Sequence, residues 1–329
     1  MNSTQLIQAH EIMKTDERHA RLEHDPAFTK GAAFIGGAFC PIDQAAVPII
    51  DCGFTHADAA YDVVSVSRGS FFRLEEHQQR FAEACGKIRV TNPYTREREA
   101  EILHELVART GLQDSYVWWA VTRGFTPSNR ADMVDPSKFT NQFYAFAIPY
   151  VFIAEDEQRE RGLNVAISTE RIRIPSTAVD PTAKNFHWLD MQMALFEAGE
   201  RGSEWAVLTD AEGYLAEATG ANIFVVNDGV VLTPDSECLL GITRKTVFDL
   251  CDEKGIPWEA RRVHGDELRN ADDAFLATTA GAVMPISRVD SRPLQHSEKE
   301  DKIANLLHDL YWQKRWEGWK STPVRYSIN

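Results

Sequence analysis

The sequence predicts an α+β protein built from two domains. With 329 residues, the chain is long enough for two domains of ordinary size. Its 43% hydrophobic and 26% charged residues are typical of a folded protein with a substantial core. The succession of strand and helix patterns restarts after Pro149. We therefore predict a small N-terminal domain over 1–148, a linker over 149–155 and a larger C-terminal domain over 156–329.

The N-terminal domain is expected to combine a sheet with helices. Residues 31–40 predict a hairpin of two short apolar strands around Gly36-Gly37. Alternating, valine-rich or aromatic segments predict further strands at 61–66, 116–122 and 141–150. Composition and spacing predict helices over about 3–23, 74–87 and 96–110. The polar stretch 124–138 predicts a loop of the length that proteins usually reserve for function.

The C-terminal domain shows the same alternation of short strands and helices. Its predicted strands are 164–168, 205–209, 215–218, 222–226, 230–233, 258–263 and 273–277. Its predicted helices are 188–201, 243–254 and 299–319. Asp-Gly and Glu-Gly turns join several of these strands, as expected for a sheet of short strands.

Charge and cysteine content exclude several classes of function. A formal net charge of -14 would repel nucleic acid and anionic membranes, so neither is expected as a partner. The five cysteines are scattered and form no C-x-x-C pair, which predicts neither a metal site nor a disulfide framework. No signal peptide or apolar run of membrane-spanning length is apparent, so a cytoplasmic location is expected.

Lys184 is the first candidate for a catalytic side chain. It lies just after a turn, in Val179-Asp-Pro-Thr-Ala-Lys-Asn-Phe-His-Trp188, between apolar and aromatic neighbours. Partial burial there would disfavour the ammonium form and lower the pKa of Lys184 from about 10.4 toward neutrality. A neutral amine can attack a carbonyl group and form a Schiff base. By itself, the same segment is more often a surface lysine at the start of a helix.

Three further segments offer groups that a charged ring and an anion would need. Glu217 follows the turn 210–213 beside small residues and could pair with a protonated ring nitrogen, although alone it is more typical of a solvated strand edge. The segment 239–245 places a glycine turn before a helix, whose first amides can hold a phosphate, unless Thr243 is simply an N-cap. The small and hydroxyl residues of 277–282 allow close backbone approach to an anion, or form a plain turn.

Taken in order, these segments resemble the class IV (fold-type IV) aminotransferases that use pyridoxal 5′-phosphate. The resemblance runs from about Gly31 to Trp312 and is closest to the (R)-selective amine transaminases. The first-domain pattern of that group appears as Asp51-Cys-Gly-Phe-Thr-His56-Ala-Asp-Ala-Ala-Tyr61-Asp-Val, followed by Phe72-Arg-Leu-Glu-Glu-His77-Gln-Gln-Arg80. The resemblance implies the fold shared by D-amino acid and branched-chain aminotransferases, with the cofactor between the two domains. It also implies a homodimer whose second subunit completes the active site.

The resemblance assigns roles to individual residues. Lys184 would carry the cofactor as a Schiff base and shuttle protons, Glu217 would pair with the ring nitrogen, and Arg80 would bind the phosphate. The cofactor would also contact Leu240, the amides of Ile242 and Thr243, and the threonines Thr278 and Thr279. The substrate would lie beside His56, Tyr61, Val63, Tyr116, Trp118, Arg130, Trp188, Thr278 and Ala280.

The activity implied is transfer of an amino group from a primary amine, (R)-configured by resemblance, to a keto acid such as pyruvate. The two half-reactions would follow ping-pong kinetics. Branched-chain aminotransferases typically carry an arginine at the position of Trp118, and D-amino acid aminotransferases carry Arg-x-His on this strand. A neutral Trp118 lacks such a carboxylate anchor, and it also differs from the glutamate or small polar residue usual in (R)-amine transaminases. Arg130 on the long loop is the candidate cation for a keto acid.

Three alternatives remain open at this point. The chain could be a branched-chain, D- or β-amino acid aminotransferase with the same fold and cofactor. It could be a carbon–carbon lyase of the aminodeoxychorismate type, which shares the lysine and needs no amino acceptor. The third alternative is a catalytically silent binding protein on this scaffold, which the presence of Lys184, Glu217 and Arg80 disfavours.

Overall fold

The structure is a computed structural model that describes residues 20–295 and 302–327. Within these ranges the chain divides into two compact units. The first unit contains 20–151, 183–187 and 318–327, and the second contains 152–182, 188–295 and 302–317. In the part of the chain that is described, no helix is long and apolar enough to cross a membrane.

The helices are short to medium in length and the strands are numerous. The helices are α1 (Cys52–His56), α2 (Leu74–Ile88), α3 (Arg96–Thr110), α4 (Asp156–Arg161), α5 (Leu189–Glu200), α6 (Ile242–Lys254), α7 (Gly265–Arg269) and α8 (Ile303–Trp316). The strands are β1 (Ala32–Ile35), β2 (Ala38–Pro41), β3 (Ala59–Ser67), β4 (Ser70–Phe72), β5 (Ser115–Phe125), β6 (Thr140–Pro149), β7 (Leu163–Ile167), β8 (Trp205–Thr209), β9 (Leu215–Ala218), β10 (Asn222–Asn227), β11 (Val230–Thr233), β12 (Trp258–Ala260), β13 (Asp273–Thr278), β14 (Ala282–Val289), β15 (Arg292–Pro293) and β16 (Ser321–Pro323).

The first unit is built on an antiparallel sheet in the order β16-β4-β3-β5-β6-β1-β2. Gly36 and Gly37 join β1 to β2 with φ values of 59° and 83°, as a tight hairpin turn with the twist of its strands requires. Helix α2 packs on one face of the sheet, where Phe81 meets the fully buried Trp119 of β5 edge-on at 5.6 Å. One face of β3 and β5 is therefore covered by helix, and the residues that point the other way are left to form a site.

A short segment from the second half of the chain, Ala183–His187, belongs to the first unit. Asn185 forms an antiparallel bridge with Ala60, and the amide of Tyr61 donates a hydrogen bond to the carbonyl of Lys184 at 3.0 Å. Strand β4 pairs only with Val66 and Ser67 at the end of β3. The backbone at the start of β3 is therefore available to pair with residues 183–187. The predicted domain boundaries place Lys184 in the C-terminal domain, whereas its contacts join it to the first unit.

The second unit is built on a mixed sheet in the order β12-β11-β10-β13-β14-β7-β8-β9, with β15 paired to β14. The pairs β7–β8, β7–β14 and β11–β12 are parallel, and the other pairs are antiparallel. Helix α5 buries Met191, Ala194 and Ala198 against Ala206 and Leu208 of β8. Strand β9 pairs with β8 next to this helix and carries Glu217 opposite Leu208.

Most predicted elements of both units are confirmed, and the differences have local causes. The predicted helix over 3–23 falls largely outside the described residues, but its last part is wrong because Arg21 forms a β-bridge with Leu112. The strand predicted over 258–263 ends at Ala260, and the last predicted helix ends at Trp316. Helix α4 was missed because all six of its residues are charged or polar, and a capping box between Glu155 and Gln158 forms it instead of apolar periodicity. Strand β14, also missed, contains Pro285, which interrupts the expected pattern.

Candidate active site

Lys184 lies against an aromatic wall in the first unit. Its Nζ atom is 4.4 Å from the centre of the Tyr61 ring, and its side chain is half-buried. The backbone pairing of 183–187 with β3 places this amine beside Tyr61. The lowered pKa of Lys184 stays a prediction, since burial disfavours the ammonium form while the face of an aromatic ring attracts it.

The wall itself is formed by the residues of β3 and β5 that face away from α2. Val63 is paired with Trp118, and Ser65 with Tyr116, so Tyr61, Val63, Tyr116 and Trp118 share one face of the sheet. Trp118 stacks on Phe146 of β6 at 5.1 Å. Burial raises the pKa of Tyr116, so its phenol is neutral. We use the name aromatic wall for Tyr61, Val63, Tyr116 and Trp118 together with Phe186 of the lysine segment.

Arg80, the predicted phosphate ligand, is held by a buried carboxylate. Its Nε and Nη2 atoms donate to Oδ2 and Oδ1 of Asp62 at 2.8 and 2.7 Å. Nδ1 of His77 and the amide of Val63 also donate to Oδ1, at 2.8 and 2.7 Å. Burial would raise the pKa of Asp62, but Arg80 and His77 outweigh it and hold that pKa well below its usual range. Asp62 is therefore a permanent anion, and Arg80 is fixed from one side.

Glu217, the predicted partner of a ring nitrogen, is buried in the second unit with 4% of its surface exposed. Its Oε1 accepts a hydrogen bond from Nε of Arg173 at 2.7 Å, and Nη1 of Arg173 donates to Oδ2 of Asp190 at 2.6 Å. Burial would lower the pKa of Arg173, but Glu217 and Asp190 outweigh this effect and raise it. The arginine is therefore always charged and favours the carboxylate form of Glu217.

The start of helix α6 has the features of an anion site. Gly241 is its N-cap, and no described side chain caps the first amides, those of Ile242 and Thr243. Thr243 is the second helical residue, so the alternative that it serves as the N-cap is wrong. A Cβ atom on Gly241 would lie 2.2 Å from Oδ1 of Asn222, so any larger residue would have to displace Asn222 or the turn. The Nδ2 atom of Asn222 donates to the carbonyl of Leu239 at 2.7 Å and ties this turn to β10.

The other predicted residues of the second unit lie around two turns. The hydroxyl of Thr278, at the end of β13, donates to the carbonyl of Gly220 at 3.0 Å. Trp188 packs so closely on Gly220 that an added Cβ atom would lie 2.8 Å from its Cη2 atom. Half-buried Thr279 and buried Ala280 follow Thr278 in the turn between β13 and β14.

Three predicted residues are not brought into these clusters. Leu240 is 50% exposed in the turn before α6. His56 lies exposed at the end of α1, where its Nδ1 atom is 2.7 Å from the hydroxyl of Thr55. Arg130 is exposed at the start of a short 3₁₀ helix, Arg130–Val134, in the predicted loop. Neither His56 nor Arg130 belongs to the aromatic wall, and their roles stay predictions.

Four residues that hold the predicted site residues in place were not predicted from the sequence: Asp62, His77, Arg173 and Asp190. Asp62 and His77 stand inside the quoted motif, so their spacing to Arg80 was a usable signal, since His77 and Arg80 are one helical turn apart. Arg173 had no such signal. It lies in an irregular segment 44 positions before Glu217, and only folding joins the two.

The first unit thus offers an amine beside an aromatic wall and a fixed guanidinium. The second unit offers a carboxylate locked by an arginine and a helix start without a side-chain cap. An amine can bind a carbonyl carbon, the guanidinium and the helix amides can bind a phosphate, and the carboxylate can keep a ring nitrogen protonated.

The chain is similar to several known proteins. The model of the family "Amino-transferase class IV" matches residues 59–289. A putative branched-chain-amino-acid aminotransferase of Methanocaldococcus jannaschii is 29% identical over 284 residues, which cover 84% of this chain and 95% of that protein. A D-alanine aminotransferase of Listeria monocytogenes is 29% identical over 271 residues, which cover 82% of this chain and 91% of that protein. The crystal structure of the branched-chain amino acid aminotransferase from Thermobaculum terrenum in its PLP-form is 25% identical, with a TM-score of 0.78, over 91% of this chain and 99% of that one.

Proposed function

Because the chain belongs to the class IV aminotransferase family and is a pyridoxal-phosphate-dependent aminotransferase, we propose that its amino donor is a primary amine, (R)-configured, and its acceptor a keto acid such as pyruvate. The observation that carries this proposal is the aromatic wall beside Lys184. Trp118, Tyr116 and Tyr61 are neutral and largely apolar where an amino acid substrate would need a cation for its carboxylate. An amine with a flat apolar substituent suits such a surface.

The residues present fit pyridoxal phosphate. The start of α6 has no side-chain cap, so the amides of Ile242 and Thr243 can serve an anion, and Arg80 presents a charged edge. Arg173 favours the ionised form of Glu217, as a partner for a pyridinium nitrogen requires. We propose that these groups, with Lys184, Leu240, Thr278 and Thr279, hold the cofactor.

Bound pyridoxal phosphate supplies an aldehyde that takes up the amino group and a ring that delocalises negative charge. The chain supplies the proton transfer. In its neutral form, Nζ of Lys184 would remove the proton from the substrate carbon that bears the nitrogen and would hold that proton for its later return. Tyr61, 4.4 Å from this amine, limits its path and excludes water from one side.

We also propose a place for the keto acid. Arg130 is the candidate cation for its carboxylate, because it is exposed on a loop at the end of β5 and makes no described ion pair that would occupy it. Such an arginine can approach a carboxylate and withdraw from an apolar substituent. The homodimer and the cytoplasmic location implied above remain predictions.

The second candidate function is an amino acid aminotransferase. It is favoured by the names of the relatives, which are branched-chain and D-alanine aminotransferases. Against it stands Trp118, which replaces the arginine or Arg-x-His pattern expected on this strand. The two candidates share the cofactor and Lys184, and they differ only in the donor.

A half-reaction experiment separates the candidates. The enzyme loaded with pyridoxal phosphate is mixed separately with (R)-1-phenylethylamine, (S)-1-phenylethylamine, D-alanine and L-leucine, and its visible absorbance is followed. We expect rapid bleaching and release of acetophenone with the (R)-amine, and little change with L-leucine. Bleaching by an amino acid alone would refute the amine proposal and favour the second candidate.

Lys184→Ala is the control for the chemistry. It is expected to remove both the visible band of the bound cofactor and turnover, because no other amine is proposed to bind the aldehyde. Normal turnover by this variant would refute the role of Lys184, whichever donor the enzyme uses.

A further inference from the structure

We propose that Asp62 is a positioning residue that aims the guanidinium of Arg80 at the cofactor phosphate. This inference rests on the proposed role of Arg80 and deepens it. A guanidinium has two edges that can form paired hydrogen bonds, Nε with Nη2 and Nη2 with Nη1. Asp62 occupies the first edge, and the second edge is the one we assign to phosphate.

The contacts of Asp62 support a positioning role. Its side chain is fully buried, and its two oxygens accept four hydrogen bonds, from Arg80, His77 and the amide of Val63. The amide of Val63 fixes the carboxylate to β3, and His77, one turn before Arg80 on α2, fixes it to the helix. The guanidinium is therefore held by a group that cannot itself turn.

The other edge of Arg80 is open to a ligand. Among the described residues, the hydrogen bonds of this guanidinium run through Nε and Nη2 to Asp62, and none runs through Nη1. The Arg80 side chain is 11% exposed, and no described residue accepts a hydrogen bond from its Nη1 atom. If an arginine had only a structural role, the N–H groups of its Nη1–Nη2 edge would be expected to donate hydrogen bonds to the protein.

A second pair of an arginine and a carboxylate in the first unit has such a structural role. Arg123 donates through Nε and Nη2 to both oxygens of Asp58, at 2.9 and 3.0 Å, in the same arrangement. Its Nη1 and Nη2 atoms also donate to the carbonyls of Arg89 and Ile88, at 2.5 and 2.7 Å. The Asp58–Arg123 pair therefore ties the end of α2 to β5, and it provides a matched control for the Asp62–Arg80 pair.

The carboxylate of Asp62 has two opposing effects on phosphate binding. Its charge repels a phosphate, whereas its fork holds the arginine in the orientation that binds one. Replacing Asp62 by asparagine would remove both effects. Affinity for phosphate would fall if orientation of Arg80 is the larger effect, and it would rise if repulsion is the larger effect. In metal sites, loss of a partner that orients a ligand side chain typically weakens binding on the order of 10- to 100-fold, and we expect an effect of that order here.

The test compares pyridoxal 5′-phosphate with pyridoxal. Both bond to Nζ of Lys184, but only the first carries a phosphate. Phosphate recognition is therefore measured by the ratio of dissociation constants, defined as Kd of pyridoxal divided by Kd of pyridoxal 5′-phosphate. Each constant is obtained by absorbance titration of the enzyme freed of cofactor. Asp62→Asn is expected to reduce the ratio on the order of tenfold or more, with affinity for pyridoxal nearly unchanged. Asp58→Asn is expected to leave the ratio as in the wild type.

Arg80→Gln separates failure of this inference from failure of the proposed site. If Arg80→Gln lowers the ratio and Asp62→Asn does not, the positioning role is refuted and the phosphate role of Arg80 stands. If Arg80→Gln leaves the ratio unchanged, the phosphate role itself fails. Adding Asp62→Asn to Arg80→Gln is expected not to lower the ratio further, because Asp62 positions the phosphate group only through Arg80. The loss of its negative charge can only raise the ratio in this background.

Asp62→Glu keeps the proposal testable if Asp62→Asn does not fold. Glutamate retains the charge and the ability to pair, but it moves the fork by one methylene group. A positioning role predicts a reduced ratio for this variant, whereas an unchanged ratio would refute it.

Discussion

At the scale of single residues, Arg173 determines the state of the carboxylate that we assign to the cofactor ring. It joins Glu217 to Asp190, and both carboxylates are buried. A buried carboxylate without a partner would take up a proton and lose its ability to keep a ring nitrogen charged. The cation thus serves the chemistry through Glu217 without contacting the substrate.

Glu217→Gln is expected to lower kcat on the order of 100-fold, as removal of one fixed electrostatic group from an active site typically does. The glutamine can still accept a hydrogen bond from Arg173, so the fold should persist, but it carries no charge to hold a pyridinium. The measurement is steady-state kinetics of the enzyme saturated with cofactor.

Glu197→Gln is the matched control for this prediction. Glu197 is also a buried glutamate paired with an arginine of the second unit, since Nη1 of Arg201 donates to its Oε1 at 2.9 Å. Its loss should lower stability and leave kcat unchanged. Equal losses of kcat in both variants would show that Glu217 has only a structural effect.

At the scale of elements, the start of α6 depends on a close contact with β10. Gly241 has an ordinary helical N-cap conformation, with φ of −64°, so its backbone would accept any residue. The constraint comes from Asn222, whose side chain occupies the space of a Cβ atom and is tied to the carbonyl of Leu239. The position of the first helical amides is therefore set by packing.

Gly241→Ala is expected to weaken pyridoxal phosphate binding several-fold and to destabilise the protein by about 1–3 kcal/mol, the usual cost of overpacking. The added methyl group must displace Asn222 or the turn, and the amides of Ile242 and Thr243 move with it. Cofactor titration and thermal unfolding measure the two effects.

Gly86→Ala provides the contrast. Gly86 lies inside α2, and a Cβ atom there would meet nothing within 4 Å. This substitution should stabilise the protein by about 0.5–1 kcal/mol, because alanine favours the helix. If Gly241→Ala also stabilised the protein, this result would show that the contact with Asn222 does not position helix α6.

At the scale of the whole molecule, a buried acid links stability to pH. Glu99 of α3 is buried, and its oxygens accept hydrogen bonds from Gln78 and Asn92. Burial raises the pKa of Glu99 to about 7, against a reference value of 4.5. Between these two values the folded protein binds more protons than the unfolded chain, so its free energy of unfolding falls as pH rises.

We therefore expect stability to decrease from about pH 5 to pH 7 and then to level off, by up to about 3 kcal/mol from this group. Glu99→Gln should flatten this dependence, although it loses one acceptor and should be less stable than the wild type at pH 5. Urea unfolding at a series of pH values between 5 and 8 measures both effects.

Glu97→Gln controls for the general loss of negative charge. Glu97 lies on the same first turn but is exposed, and hydrogen bonds lower its pKa out of this window. The free energy of unfolding of Glu97→Gln should therefore depend on pH in the same way as that of the wild type. Parallel curves for Glu99→Gln and the wild type would rule out Glu99 as the source.

The sequence by itself determined those features that depend on neighbours along the chain. The hairpin at Gly36-Gly37 and the boundaries of α3 were predictable, because a tight turn requires positive φ and because Thr95 and Gly111 are strong helix signals. The family was also readable, because Lys184, Glu217 and the segments at 239–245 and 277–282 occur in a characteristic order.

Only the tertiary structure decided how charges pair and which surface faces the reactive amine. Lys184 reaches Tyr61 because residues 183–187 add to the open edge of β3, and Arg173 reaches Glu217 across an irregular segment. Strand register placed Tyr116 and Trp118 on one face and Asp62 on the other. Local preferences cannot specify such contacts, because they arise from the packing of elements that are distant in sequence.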